Sequence, residues 1–149
     1  MSELGLARSV GVFSSDLFDI PPPPRIHDKA ASPLGHDLAR LLFTELDKVA
    51  VPRITRAGPV AGEDGWIFWC SLDGRGYSVF VHWAPIGEPP SDHWVVQIDA
   101  RVGLLRAFLG KRASDDEVAP VREELARILD RPGVRDLRWL TMKEFGRVY

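Results

Sequence analysis

The chain has 149 residues, of which 45% are hydrophobic and 27% charged, a balance typical of one globular domain. Its formal net charge of −2 gives no support for a basic face that binds nucleic acid. The single cysteine, Cys70, excludes an intramolecular disulfide. No signal-peptide pattern is visible, and no stretch approaches the ~20 apolar residues of a membrane span. We therefore expect a cytoplasmic protein that binds neither nucleic acid nor membrane.

The N-terminal part of the sequence is predicted to be a Pro-rich arm, flexible or docked, over residues 1–31. A single α+β domain is predicted over residues 32–149. The run Pro21 to Pro24 favours an extended conformation that enters neither a helix nor a central strand. An apolar cluster containing Phe13 and Phe18 precedes this run. Since a solvated linker does not normally carry two phenylalanines, the cluster is expected to dock on the domain's own core or on another molecule.

The first helix is predicted to begin at Ser32, as its N-cap, with Pro33 at the first helical position. Apolar residues then recur with a period of 3.6 and predict one buried stripe. Its members are Leu34, Leu38, Leu41, Leu42 and Val49. Pro52 is expected to end the helix.

A block rich in strand-forming residues follows the first helix. Arg53–Ala57 is a weak strand candidate, whereas Trp66–Leu72 and Tyr77–Ala84 are strong ones that flank the turn from Asp73 to Gly76. His93–Ala100 follows after a loop rich in proline and glycine. Consecutive strands joined by short turns predict an antiparallel meander.

Two helices and a further strand complete the predicted order. Val102–Leu109 is short and apolar, and the next helix opens with Ser114 and Glu117 at the spacing of a capping box. Val134–Thr141 reads as the last strand, and the tail Met142–Tyr149 is expected to make a final turn. The predicted fold class is α+β, an antiparallel β-meander sheet of four to five strands with helices packed on one face.

The functional prediction depends on which side chains lie on each face of the central hairpin. Pairing Leu72 with Tyr77 across the turn places Trp69, Phe80 and His82 together on one side of the sheet. The other side is apolar as well, whereas a sheet with one face open to water normally alternates between apolar and polar residues. The side with Trp69, Phe80 and His82 is therefore expected to be covered by the chain itself or by a second copy, or to bind another molecule.

The polar residues of the strands suggest no catalytic or metal-binding group. His93 and Asp99 share a face of one strand but lie about 20 Å apart at ~3.3 Å per residue, too far to share a metal. Cys70 and His82 point to opposite faces, which excludes a Cys–His nucleophile pair. We predict no metal, no cofactor and no catalytic residue.

The leading hypothesis is a non-catalytic protein-interaction module of the chaperone, immunity or adaptor kind. It would hold a protein partner, or itself as a homodimer, through Trp69, Phe80 and His82, because aromatic side chains anchor interfaces well. The alternative is a small-molecule binding protein or enzyme with a pocket between the sheet and the helices. The polar groups of that pocket would be Arg75, His93 and Asp99.

Overall fold

The computed structural model describes residues 7–18, 34–49, 58–72, 74–101 and 113–148. Six strands lie in this part of the chain: β1 (Val10–Ser15), β2 (Val60–Ala61), β3 (Trp66–Leu72), β4 (Arg75–Ile86), β5 (Ser91–Ala100) and β6 (Val134–Leu140). Three helices accompany them: α1 (His36–Asp47), α2 (Asp115–Leu129) and α3 (Met142–Val148). The predicted α+β class with an antiparallel sheet is confirmed, with six strands instead of four or five.

Some predicted features lie outside the described residues, namely the run Pro21 to Pro24 and the segments Arg53–Ala57 and Val102–Leu109. The predicted N-cap Ser32 and the following Pro33 also lie outside the described residues. Helix α1 begins at His36, later than predicted, with Gly35 as its N-cap. Gly35 has a φ of +104°, a left-handed conformation that glycine adopts readily, and this sets the start of the helix.

The sheet combines a meander with one inserted strand. Its order is β2-β3-β4-β5-β1-β6, and every neighbouring pair is antiparallel. Strands β2 to β5 form the predicted meander. The segment predicted as the start of an arm instead contributes β1, which lies between β5 and β6 with Val10 and Phe13 fully buried. Part of the expected apolar cluster therefore belongs to the domain's own core.

The hairpin of β3 and β4 has a tighter turn than predicted. Leu72 pairs with Arg75, not with Tyr77, and only Asp73 and Gly74 lie between the paired residues. Gly74 has a φ of +77°, which a two-residue hairpin turn requires and which Asp-Gly favours. Because the register shifts by two residues, the predicted division of side chains between the two faces is unchanged.

Helices α1 and α2 cover one face of the sheet. Leu38 and Leu42 of α1 and Val121 and Leu125 of α2 are fully buried there. They belong to one apolar cluster with strand residues such as Val81. Burying each such side chain stabilises the fold by about 1.5–3 kcal/mol relative to its exposed state.

Capping boxes begin both α2 and α3. The predicted box of α2 is confirmed, since Glu117 Oε1 accepts a hydrogen bond from the Ser114 backbone N–H at 3.3 Å. At α3, Glu144 Oε1 accepts from the Thr141 N–H at 3.0 Å, and Thr141 Oγ1 accepts from the Glu144 N–H at 3.1 Å. Helix α3 packs Phe145 on the face opposite α1 and α2. Helices therefore lie on both faces, where the sequence predicted only one.

Candidate functional site

The face opposite α1 and α2, called here the second face, is divided into a covered and an exposed half. In the covered half, apolar residues of β1, β4 and β5 form a buried cluster with Phe145 of α3. Its members are Val10, Val12, Ala84, Ile86, Val95 and Phe145. This half belongs to the core and is not available to a partner while α3 is docked.

The exposed half carries an apolar group on β2, β3 and β4, called here the aromatic surface: Val60, Ile67, Trp69 and Phe80. Val60 is 50% exposed and Trp69 38%, whereas Ile67 and Phe80 are half-buried. Val60 pairs with Ile67, which pairs with Phe80, so these three form a row across the strands. Trp69 is a diagonal cross-strand neighbour of Phe80. Such neighbours are typically about 7–8 Å apart, which is within reach of aromatic side chains. The structure therefore brings Trp69 and Phe80 together as predicted.

Polar residues surround the aromatic surface. Ser78 pairs with Asp99, and Phe80 pairs with Gln97, which places the β5 side chains along one side. Glu63 and Asp64 are exposed in the turn between β2 and β3, at the end of these strands. An apolar centre with a polar rim is the usual arrangement of a protein interface.

The turn between β2 and β3 sits against the aromatic surface because Gly65 has no side chain. A Cβ atom on Gly65 would overlap the carbonyl oxygen of Val81 and lie 3.0 Å from Cε2 of Phe80. The turn is closed by a hydrogen bond of 2.7 Å from the Gly62 N–H to the Gly65 carbonyl oxygen. Nothing in the sequence pattern predicted this contact, since it depends on the backbone of a neighbouring strand.

His82 lies at the boundary of the two halves and is only 8% exposed. Its ring stacks on Phe80, with centroids 5.0 Å apart, and meets Phe145 edge-on at 6.5 Å. His82 Nε2 lies 3.2 Å from Nε2 of Gln97. Burial lowers the pKa of His82, an effect opposed in part by a hydrogen bond with the Trp83 backbone and by the charge of Asp64. His82 therefore shares the predicted face but not its exposed surface.

The structure does not bring together the residues of the alternative pocket. Arg75 lies on the helix-covered side, where its guanidinium forms an ion pair with Glu117 of α2. His93 and Asp99 lie on the second face, and His93 Nδ1 is 2.9 Å from the Ser91 carbonyl oxygen. Asp99 is exposed six residues further along β5. No common pocket is formed by Arg75, His93 and Asp99.

A groove that the sequence did not predict lies between the C-terminal half of α2 and the start of β6. Its volume is about 570 Å³, and it is open to solvent. Its floor includes Leu129, Val134 and Leu137, and its rim includes Glu123 and Arg127. Sequence patterns could not have found it, because it forms between two elements whose relative position only the fold sets.

Within the described ranges, no group of three or more His, Cys, Asp or Glu side chains could hold a metal ion. No helix in the same part of the chain is long and apolar enough to cross a membrane. The Cys70 thiol is buried in the core, and burial raises its pKa to about 12. A thiol with so high a pKa is a poor nucleophile at neutral pH.

Comparison of the chain with protein-family models, with curated proteins and with solved structures finds no match in any of the three. Function is therefore inferred from the surface of the described residues and its chemistry.

Proposed function

We propose that the protein is a non-catalytic interaction module that binds another protein, or a second copy of itself, through the aromatic surface. Chaperone-, immunity- and adaptor-like roles all belong to this class. The observation that carries the proposal is the exposure of Trp69 and Val60 beside Ile67 and Phe80, on a sheet face whose other half is buried under α3.

The chemistry of the aromatic surface supports a docking role. Tryptophan buries a large area at low cost in side-chain entropy, and it is enriched among the residues that dominate binding energies. The four apolar residues are held by the paired strands β2, β3 and β4. A rigid surface loses little conformational freedom when it binds, so more of the contact energy is available as affinity.

A stable protein interface is larger than the four apolar residues of the aromatic surface. A stable protein interface buries about 800 Å² on each partner and involves about 20–30 residues on a side. The four apolar residues would form its centre, and polar neighbours such as Ser78, Gln97 and Asp99 its rim. Hydrogen bonds from the rim would then give the contact its specificity.

The small-molecule alternative has less support. Its three polar residues lie on two faces of the sheet, and Arg75 is already paired with Glu117. The groove beside α2 has charged as well as apolar lining residues, including Asp130 and Arg131, but it is open to solvent, and Arg127 forms an ion pair with Glu124 at 2.9 Å. A ligand pocket normally encloses most of the surface of its ligand.

The proposed location of the module is the cytoplasm. Cys70 is a free thiol buried in the core. A chain with one cysteine and no disulfide is well suited to a reducing compartment. Fractionation of cells that express the protein would test the location directly.

Photo-crosslinking from within the surface tests the proposal. A photoreactive amino acid would replace Val60 at the edge of the surface, and, as a control, Glu123 on the exposed side of α2. Irradiation of producing cells should give a discrete protein adduct from position 60 that Trp69→Ser removes. Absence of an adduct, or the same adduct from position 123, would contradict the proposal.

A further inference from the structure

Helix α3 is a short cover over an apolar part of the second face. It has seven residues, and Phe145 is 7% exposed while Met142 at its start is 49% exposed. Helices of this length are not stable on their own in water, so α3 depends on its docking and on its capping box. Phe145 packs on strand residues such as Val12 and Val95. A small change in the energy of this contact would shift α3 between docked and undocked states.

The imidazole of His82 contacts the cover and the aromatic surface at once. The ring stacks on Phe80, and the ring of Phe145 lies at an angle of 82° to it, with centroids 6.5 Å apart. Its Nε2 faces the neutral amide of Gln97 at 3.2 Å. A change in the charge of this ring therefore acts on α3 and on the aromatic surface together.

Charged and titratable groups on the side of His82 come from the turn between β2 and β3, from α3 and from two neighbouring strands. On the second face, β5 carries His93 and Asp99, and β6 carries Arg138. Asp64 in the turn between β2 and β3 favours the charged imidazole, but its effect is smaller than that of burial. On α3, Glu144 accepts a hydrogen bond from Nη1 of Arg8 at 3.0 Å, and Lys143 and Arg147 are exposed. Burial therefore decides the direction in which the pKa of His82 is shifted.

We propose that His82 is a proton-operated latch: in its neutral form it holds α3 on the sheet, and its protonation at mildly acidic pH releases α3. Release uncovers the buried half of the second face and makes it continuous with the aromatic surface. The latch itself is independent of any partner, whereas its use to enlarge a docking surface rests on the function proposed above.

The direction and size of the effect follow from proton linkage. Burial holds the pKa of docked His82 below the ordinary value of an exposed imidazole, which is about 6.5. Undocking of α3 exposes the ring to more water and raises its pKa toward that ordinary value, which is the upper limit. The stabilisation of the docked state is thus fully present above about pH 6.5 and is lost as the pH falls. At about pH 5.5 the equilibrium constant for undocking of α3 can exceed its value for neutral His82 by at most about tenfold. At about pH 7.5 the constant is almost unchanged.

Hydrogen exchange of the full chain measures the latch without any partner. Protection factors of the α3 amides, corrected for intrinsic exchange, should fall by about three- to tenfold between pH 7.5 and pH 5.5. His82→Phe keeps an aromatic ring at this position but cannot titrate, so its α3 protection should be the same at both pH values. His93→Gln, on the same face but partly exposed, should behave like the wild type.

Equal protection at the two pH values in the wild type, or a persistent fall in His82→Phe, would overturn the latch. If His82→Phe does not fold, NMR titration of wild-type His82 replaces it. The latch requires a pKa below that of an exposed histidine and Phe145 ring shifts that titrate with it. A failure of photo-crosslinking at Val60 would count against the docking function alone, because these measurements contain no partner.

Discussion

The indole of Trp139 on β6 lies over Gly11 on β1, its cross-strand neighbour. A Cβ atom on Gly11 would stand 2.8 Å from Cζ3 of Trp139, closer than side chains normally approach. Gly11 thus lets a large ring cover the strand that joins the meander to β6. The contact adds side-chain packing to the backbone pairing of β1 with β6.

Substitution Gly11→Ala should lower the free energy of unfolding by about 1–3 kcal/mol, because the added methyl group forces the indole to move. Urea denaturation measures the change. In a Trp139→Ala background the same substitution should cost much less, since the obstructing ring is gone. An equal cost in both backgrounds would show that the indole is not the source of the strain.

The position of strand β1 in the sheet could not be predicted from local sequence patterns. The apolar cluster with Phe13 indicates that this segment docks, and the domain's own core is one expected docking site. The run of prolines from Pro21 nevertheless favours an arm. Insertion between β5 and β6 could not be predicted, because strand order depends on long-range pairing that a local pattern does not encode.

Deletion of residues 1–31 should abolish the native fold. It removes β1 and leaves the facing edges of β5 and β6 without their shared partner, and open strand edges promote aggregation. Light scattering and circular dichroism should show associated, poorly structured protein. Deletion of residues 1–6 is the matched control and should retain cooperative unfolding. A folded, monomeric 1–31 deletion would contradict the central position of β1.

The Cys70 thiol should be nearly inert in the native protein. Burial raises its pKa from 9.0 to about 12, which lowers the thiolate fraction about a thousandfold at mildly alkaline pH. Reaction with a disulfide reagent at about pH 8 should be at least about a hundredfold slower in the folded state than in urea. Comparable rates in the two states would show that the core around Cys70 opens readily.

Substitution Thr141→Ala should loosen α3 at every pH. It removes the hydroxyl that accepts the Glu144 N–H, and loss of such a cap costs about 0.5–2 kcal/mol. Hydrogen exchange of α3 should accelerate at both acidic and neutral pH, while the relative effect of pH remains. Met142→Ala, at an exposed position, should have little effect. Unchanged exchange in Thr141→Ala would mean that Phe145 alone holds the helix.

Local patterns predicted the hairpin strands and α2 well. Trp66–Leu72 has the predicted bounds, and Ser114 and Glu117 form the predicted capping box. Trp69 and Phe80 share a face, because alternation along paired strands survives a register shift of two residues. These features depend on neighbours within a few residues or across one turn.

The cover over His82 was the main feature that the sequence analysis missed. Thr141 and Glu144 carry the spacing of a capping box, which indicates a helix, but the tail was predicted only to make a turn. Even a predicted helix would not have been placed on the second face. Its position depends on the packing of Phe145 against strands distant in the sequence.

The most direct test of the docking surface is the equilibrium dissociation constant of the crosslinked complex for the wild type and for Trp69→Ser. The ligand is the partner identified from position 60, or a second copy of the chain. Glu123→Ala on α2 is the control, and thermal unfolding verifies that each variant folds. The proposed function predicts that Trp69→Ser weakens binding by about thirtyfold or more, as for a central interface residue, and that the control changes it by less than about twofold. Equal affinity of the wild type and folded Trp69→Ser would contradict the assignment of the aromatic surface as the docking site.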